Sequence, residues 1–318
     1  MSKLIHKTPA ATAALCVLLG GCSVERLASD KLGDVLAAGG SVYASDDDPE
    51  LIEAATPFSL KLMESVLAES PEHYGLLTAT AAGFTQFAYA FVQQHADAAS
   101  LEEPGVAADA SARAKRLYLR ARDYGLRGLD AAHPGFSRAL TGDPAAAVSR
   151  AGKADVELLY WTAAAWAAAI GLGKDDPDLV AEIGLVSALI DRAAALDETW
   201  GDGTLHGFLV TWEMVRPDAA PGREERARAH LDRAIELSGG LDAGPWVAWA
   251  ESVCLARADR PCFERALEAA LAIDPDAEPR SRLANIVMQR RARWLLVHVD
   301  RWILPPLEDA EGVEGESP

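Results

Sequence analysis

The sequence predicts an all-α fold in which helical hairpins stack into a curved solenoid, and three observations predict it. Half of the 318 residues are hydrophobic, enough for a substantial core. A small–large–small pattern returns three times in helical register between Val186 and Pro275. It reads Val186, Ile190, Ala193; then Ala227, Leu231, Ala234; then Phe263, Ala266, Ala270. Each run stops at a breaker, and the ends at Leu196, Leu237 and Ile273 lie 41 and 36 residues apart, a period suited to a helix-pair repeat with variable loops.

This grammar resembles the second helix of a tetratricopeptide (TPR) hairpin, whose small residues let the neighbouring helix approach closely. The fold class is therefore a TPR-like helical-hairpin solenoid. One hairpin cannot bury its apolar face alone, so neighbours must stack. Such scaffolds serve many functions, and the fold by itself names none of them.

The first residues read as an address. Lys3, His6 and Lys7 form a basic start, and Ala10 to Leu19 is apolar but too short to remain as a membrane-spanning helix. Leu19-Gly20-Gly21-Cys22-Ser23 resembles the lipobox of bacterial lipoproteins, in which the signal peptide is cut before a cysteine that carries diacylglycerol. Residues 1–21 are thus expected to leave, and Cys22 to be the lipidation site at the start of a tether and short helix over 22–44. Two or more acyl chains hold a protein on a membrane where one does not. Serine after the cysteine fits outer-membrane sorting. Removing residues 1–21 takes two lysines and no acid, so the formal charge of −18 becomes −20. That charge argues against nucleic acid or an anionic membrane surface as the main partner. Cys16 leaves with the signal, so only Cys254 and Cys262 remain as a possible disulfide in an oxidising compartment.

Along the chain, Lys31 to Val42 is apolar enough for a helix and stops near Gly39-Gly40. Asp46-Asp47-Asp48-Pro49-Glu50 opens the main helical domain, residues 45–303, with an aspartate cap, a proline in the first turn and an acid at the positive helix end. The run from Leu51 to Leu67 contains Pro57, which predicts a kink or two shorter helices. Leu76 to His95 is a helix on which Phe84, Phe87 and Phe91 share a face and Tyr89 points elsewhere. Ala96 to Ala110 lose periodicity and read as a loop. A basic amphipathic helix follows from Ser111 to Leu129, and Thr141 to Lys153 is polar and rich in breakers.

Asp155 to Leu172 is apolar nearly all round, so it is expected at the centre of the solenoid, buried on most sides. Asp175-Asp176-Pro177-Asp178 caps the next helix. In the repeats, Thr204 to Val215 and Pro245 to Ala256 are the first helices of hairpins. Arg280 to Trp302 is a final amphipathic helix, and 304–318 an acidic tail expected to be disordered.

Several stretches together resemble one family. They include Gly21-Cys22-Ser23, the run Ser41 to Leu51, Ala55-Thr-Pro-Phe58, Leu77 to Val92 with Gly83-Phe84 and Tyr89-Ala-Phe91, and Arg113 to Tyr124. Leu159-Tyr160-Trp161 with Trp166, Leu196-Asp197 with Trp200-Gly201, His206 to Leu209, Ala234 to Ser238 with Val247 and Ala250-Glu251, and Arg282-Leu-Ala-Asn285 with Arg291-Ala292 and Trp294 continue the match. On these residues the chain is similar to the T-component (TatT-like) lipoproteins of TRAP (tripartite ATP-independent periplasmic) transporters. The resemblance implies a periplasmic, lipid-anchored TPR-like protein that forms homotrimers and engages the transporter's solute-binding protein. It further implies a channel or cleft for a hydrophobic ligand. The Cys254/Cys262 pair and the acidic tail depart from the pattern.

No catalytic motif competes with that reading. A Gly-rich phosphate loop, an H-E-x-x-H helix and a G-x-S-x-G elbow are absent from the sequence, and the histidines are scattered without metal-ligand spacing. Neither enzyme activity, cofactor nor metal is expected. Candidate cleft-lining residues are the aromatics of the central helices: Phe84 and Tyr89, Tyr118 and Tyr124, and Tyr160, Trp161 and Trp166. Arg120 is a candidate clamp for a ligand carboxylate. Trp161 and Trp166 stand about 140° apart round their helix, so burying both needs packing on two sides or a cavity on one. The competing reading makes all of them core. The alternative function is a lipid-anchored TPR scaffold for an envelope assembly with no small ligand.

Overall fold

The computed structural model describes residues 27–100, 102–217 and 221–304. Among them no strand occurs, and the fold is the all-α, helical-hairpin type that the repeat period predicts. None of the described helices is long and apolar enough to cross a membrane. Cys22 and the acidic tail from 305 lie outside the described residues.

The described residues form two compact units, one within 1–201 with 278–283 and the other within 202–277 with the residues from 284 on. The helices of the first are α1 (27–38), α2 (Gly40–Ala44), α3 (Pro49–Glu69), α4 (Tyr74–Phe87), α5 (Gln94–Ala99), α6 (Pro104–Ala132), α7 (Phe136–Gly142), α8 (Pro144–Ser149), α9 (Val156–Leu172), α10 (Pro177–Ala181) and α11 (Ile183–Leu196). Those that open in the second are α12 (Thr204–Val215), α13 (Arg223–Leu237), α14 (Gly244–Trp249), α15 (Arg260–Leu271) and α17 (Val299–Trp302). The helix α16 (Arg282–Val297) begins at the end of the first unit's residues and lies mainly in the second.

One local device starts four of these helices. Asp48, Asp143, Asp176 and Asp259 each accept the backbone N–H three residues on, at 3.0, 3.0, 3.2 and 2.9 Å, with a proline in the first turn of the helix they cap. The carboxylate satisfies one of the orphan donors of the helix end, and proline costs nothing where no partner carbonyl exists.

Four segments differ from expectation. Pro57 does not divide its helix, since α3 is continuous across it. The helix expected over 76–95 runs from Tyr74 to Ala99, interrupted by a π-helical segment at Ala88–Gln93. Of the loop expected over 96–110, only residues 100, 102 and 103 are non-helical among the described residues, because Pro104 at the first turn starts α6 and the alanines behind it are strong helix formers. The segment 141–153 holds the end of α7, the short α8 and a 3-10 turn at Lys153–Asp155. Smaller differences occur in the repeats: the third ends at Leu271 rather than Ile273, and the helix expected over 245–256 passes from α14 into a π segment at Ala250–Cys254.

In the first unit α6 packs against α4 and α9, and α9 also against α4 and α11. Close approach explains two glycines of α6. A Cβ on Gly125 would stand 2.1 Å from Thr162 Oγ1, and one on Gly128 would stand 2.7 Å from Leu158 Cδ2, both on α9. The expected central helix is thus buried along Leu158, Leu159, Ala163, Ala165 and Ala169.

In the second unit α12 packs on α13 and α14, and α14 on α15. The small and large residues of the repeats, Ala227, Leu231, Phe263, Ala266 and Ala270, meet in one core with Val247, Ala292 and Leu295. Cys254 and Cys262 are joined across the turn between the π segment and α15, with Cα atoms 5.5 Å apart.

Candidate functional site

The candidate aromatics come from α4 and its π segment, from α6 and from α9, and the structure sorts them into separate groups within the first unit. A π segment adds a residue to a turn and rotates the helix beyond it, a deviation common at functional sites. Phe84, Phe87 and Phe91 all point inward, with the last two rings 5.8 Å apart, while Tyr89 on the same segment is half-buried.

The first group joins α3, α4 and α6. The rings of Phe84 and Tyr124 lie nearly parallel, 5° apart in plane and 6.0 Å between centroids. Arg120 covers Phe84 at 5.0 Å and Arg127 covers Tyr124 at 5.1 Å, each a cation over a ring face. Beside them lies Glu64, whose Oε1 accepts from the Tyr124 hydroxyl at 2.8 Å and pairs with Arg120, while Oε2 pairs with Lys61 at 2.7 Å. Burial pushes the Glu64 carboxyl upward, but the bonds from Lys61 and Tyr124 and the charge of Arg120 outweigh it and hold the group below its ordinary value. Burial, then the bond to Glu64, raises the Tyr124 phenol, which therefore stays a donor. Arg120, the candidate clamp, already holds a carboxylate of its own chain, and a ligand carboxylate must compete with Glu64 for it.

The second group is wholly aromatic. Tyr160 packs edge-on to Trp161 at 4.9 Å and tilted against Trp200 at 4.8 Å. Tyr160 is buried, whereas Trp161 and Trp200 are half-buried and keep part of their surface in solvent. Trp166 stands apart from this group, in keeping with the five-residue spacing. It is buried, its indole N–H donates to Glu182 Oε2 at 2.8 Å, and Arg122 lies 5.1 Å over its ring. Tyr118 is fully buried, and its hydroxyl donates to Gln93 Oε1 at 2.6 Å on the π segment. Burial drives that phenol well above its ordinary range.

Glu64, Glu182 and Trp200 complete these groups; none of them is among the candidate cleft residues of the sequence, although Trp200 belongs to the family resemblance. Lys61-x-x-Glu64 looks like an ordinary surface pair in the sequence, and the partners that change its meaning are some 60 residues away. Trp200 stands just past a helix end, where periodicity carries no signal.

The second unit holds a polar node instead. His206 and His230 share a ring-nitrogen contact, Nδ1 to Nδ1 at 2.8 Å, so one ring donates and the other accepts. Glu213 beside them pairs with Arg226 at 2.7 Å and with Arg216 at 3.2 Å. Burial, then the neighbouring His206, pushes His230 down to about 4. Among the described residues no group of three or more His, Cys, Asp or Glu is placed to hold a metal ion.

Comparison with known proteins gives this arrangement a context. The family described as TRAP transporter T-component matches residues 45–302, from the capped start of α3 to the end of α17. The chain belongs to that family. It is also 30% identical over 309 residues to an uncharacterized protein of Treponema pallidum (strain Nichols), covering 92% of this chain and 96% of the relative. The T-component family is one of transport accessories rather than enzymes, which places this chain in a TRAP accessory role. Both aromatic groups and the histidine node lie inside the matched residues.

Proposed function

We propose that this T component is a lipid-anchored periplasmic protein, held at the outer membrane through Cys22. It engages the solute-binding protein of its TRAP system as a homotrimer and takes a hydrophobic or amphipathic ligand in its first unit. The observation that carries the reading is the T-component match across 45–302. The geometry supports a ligand surface in the first unit. Trp161 and Trp200 offer half-buried ring faces backed by Tyr160, the surface an apolar chain wets least and packs best against. The Arg120–Glu64–Tyr124 cluster supplies a polar pole whose cation is half in solvent, its side chain 44% exposed. Tyr118 and Trp166, buried with their polar atoms bonded, support the α4–α6–α9 packing behind these surfaces.

The test is capture of phospholipid or fatty acid by the purified chain, read by native mass spectrometry beside thermal melting. Trp161→Ala and Trp200→Ala should each reduce capture about ten-fold, the cost of losing roughly 1.4 kcal/mol of contact, with melting nearly intact. Unchanged capture in both variants refutes the ligand site. Co-isolation with the solute-binding protein from gently solubilised envelopes tests the partner, and light scattering of the same sample tests the trimer.

A further inference from the structure

The first described helix, α1, has a face that the other described residues leave bare. α1 is fixed in rotation by one side. The Asp30 carbonyl accepts from His73 Nε2 at 3.0 Å, and the Asp30 carboxylate accepts from Ser70 Oγ at 2.7 Å. Gly33 lies so close to the His73 ring that a Cβ there would meet it at 2.8 Å, and Leu36 joins the core of Val66, Leu67, Leu76 and Leu77. At 100° per residue these positions occupy one half of the helix, so the other half must point away. That half carries Leu27, Leu32 and Val35, exposed by 60, 44 and 68%. Its charges, Lys31 and Asp34, cancel in a pair at 3.0 Å.

We infer that the Leu27–Leu32–Val35 face of α1 lies in the plane of the membrane, in the headgroup layer of a zwitterionic lipid surface, as a second contact beside the acyl anchor. The inference rests on the lipidation of Cys22 proposed above, and on chain length. Leu27 stands five positions after Cys22, a reach of about 17 Å at most, so the start of α1 cannot leave the neighbourhood of the lipid. A helix in that position with one apolar half sinks that half into the headgroup boundary. The neutral Lys31–Asp34 pair suits phosphatidylethanolamine or phosphatidylcholine better than an anionic surface, which the processed chain's formal charge of −20 opposes (−18 less the two lysines of residues 1–21). A short acyl tether would let the body tumble. A helix laid in the interface fixes which side of the first unit faces the periplasm.

The test uses the full-length chain, processed by the cell and reconstituted into vesicles of phosphatidylethanolamine and phosphatidylcholine. Cys254 and Cys262 are joined to each other, and acylation occupies Cys22, so Val35→Cys supplies the free thiol for an environment-sensitive NBD label. Val106→Cys, at an apolar residue 53% exposed on α6, is the control. The label at 35 should shift to the blue and be quenched by shallow nitroxide lipids about two-fold or more beyond the label at 106, as burial in the headgroup boundary requires. Intact mass reports the acyl chains in the same samples. Acylated protein with a label at 35 that emits as in water overturns the helix contact and leaves the anchor standing. Protein without acyl chains overturns the anchor reading and this inference with it. Crosslinking between 35 and 35 of two copies, without lipid quenching, assigns the face to an interface between copies and likewise overturns the inference.

Discussion

The buried threonines of the first unit and the buried amides of the second are satisfied in different ways. In the first, buried threonines satisfy themselves. Thr80, Thr85 and Thr162 donate to carbonyls four residues back on their own helices, at 2.6, 2.7 and 2.6 Å. Contact between α4, α6 and α9 is then made by glycines and apolar side chains, with Arg120 over Phe84 and Arg122 over Trp166. In the second, buried amides tie one helix to another. Asn285, fully buried, accepts from Ala243 N–H and donates to the Leu241 carbonyl, each bond under 3 Å. Gln289 donates to the Ala270 and Ile273 carbonyls at 3.1 and 2.6 Å, which are orphan acceptors at the end of α15. The His206–His230 contact and the disulfide add two more directional ties. Displacing one of these threonines strands no group on another helix. Displacing Asn285 or Gln289 strands several, at about 1–3 kcal/mol each. This contrast is a physical reason to look for a ligand in the first unit and for a rigid support in the second.

The contrast is broken most directly at Trp166. Its truncation in Trp166→Ala removes a buried ring and leaves Glu182 and Arg122 without it, at a cost of about 3–5 kcal/mol in denaturant unfolding. A loss under about 1 kcal/mol would mean that α9 relaxes into the space, and that the first unit is more plastic than its packing implies.

Next in size is the disulfide. Cys254→Ser with Cys262→Ser should cost about 2–3 kcal/mol, the loop-closure value for so short a loop, and reductant should reproduce the loss in the wild type. Lipid capture should stay as it was. A change in capture on reduction would link the disulfide to the ligand site and undo the division of labour.

A further comparison separates the units by pH. His230 sits near 4 against an ordinary 6.5, so between these values the unfolded chain binds more protons, and stability is lost as pH falls from 6.5 toward 4. Glu64 is held below its ordinary 4.5, so its contribution is full above that value and declines only as pH falls further. Acid should therefore weaken the second unit first. Hydrogen exchange at pH 5 should show α12 and α13 opening before α4 and α6, and His230→Gln should flatten the melting curve between pH 6.5 and 4. Equal opening of all four helices would contradict it.

The all-α class, the repeat frame and the caps are legible in the sequence, because these are set within a helical turn or two. Small and large residues at spacings of three and four put Val186, Ile190 and Ala193 on one buried face, and an aspartate directly before a proline marks the starts of α3, α8 and α10, though Asp274-Pro275 opens only a turn. The five-residue spacing likewise sends Trp161 and Trp166 to different surroundings. Alanine-rich stretches such as the start of α6 are less legible, since alanine favours a helix without marking a face. Folding alone decides which aromatics stand in solvent and which in the core, and that Arg120 is met by Glu64. In the sequence His206 and His230 are two ordinary histidines. They become one proton-sharing pair only when α12 packs on α13, because such groups take their chemistry from partners that folding brings from 24 to 60 residues away.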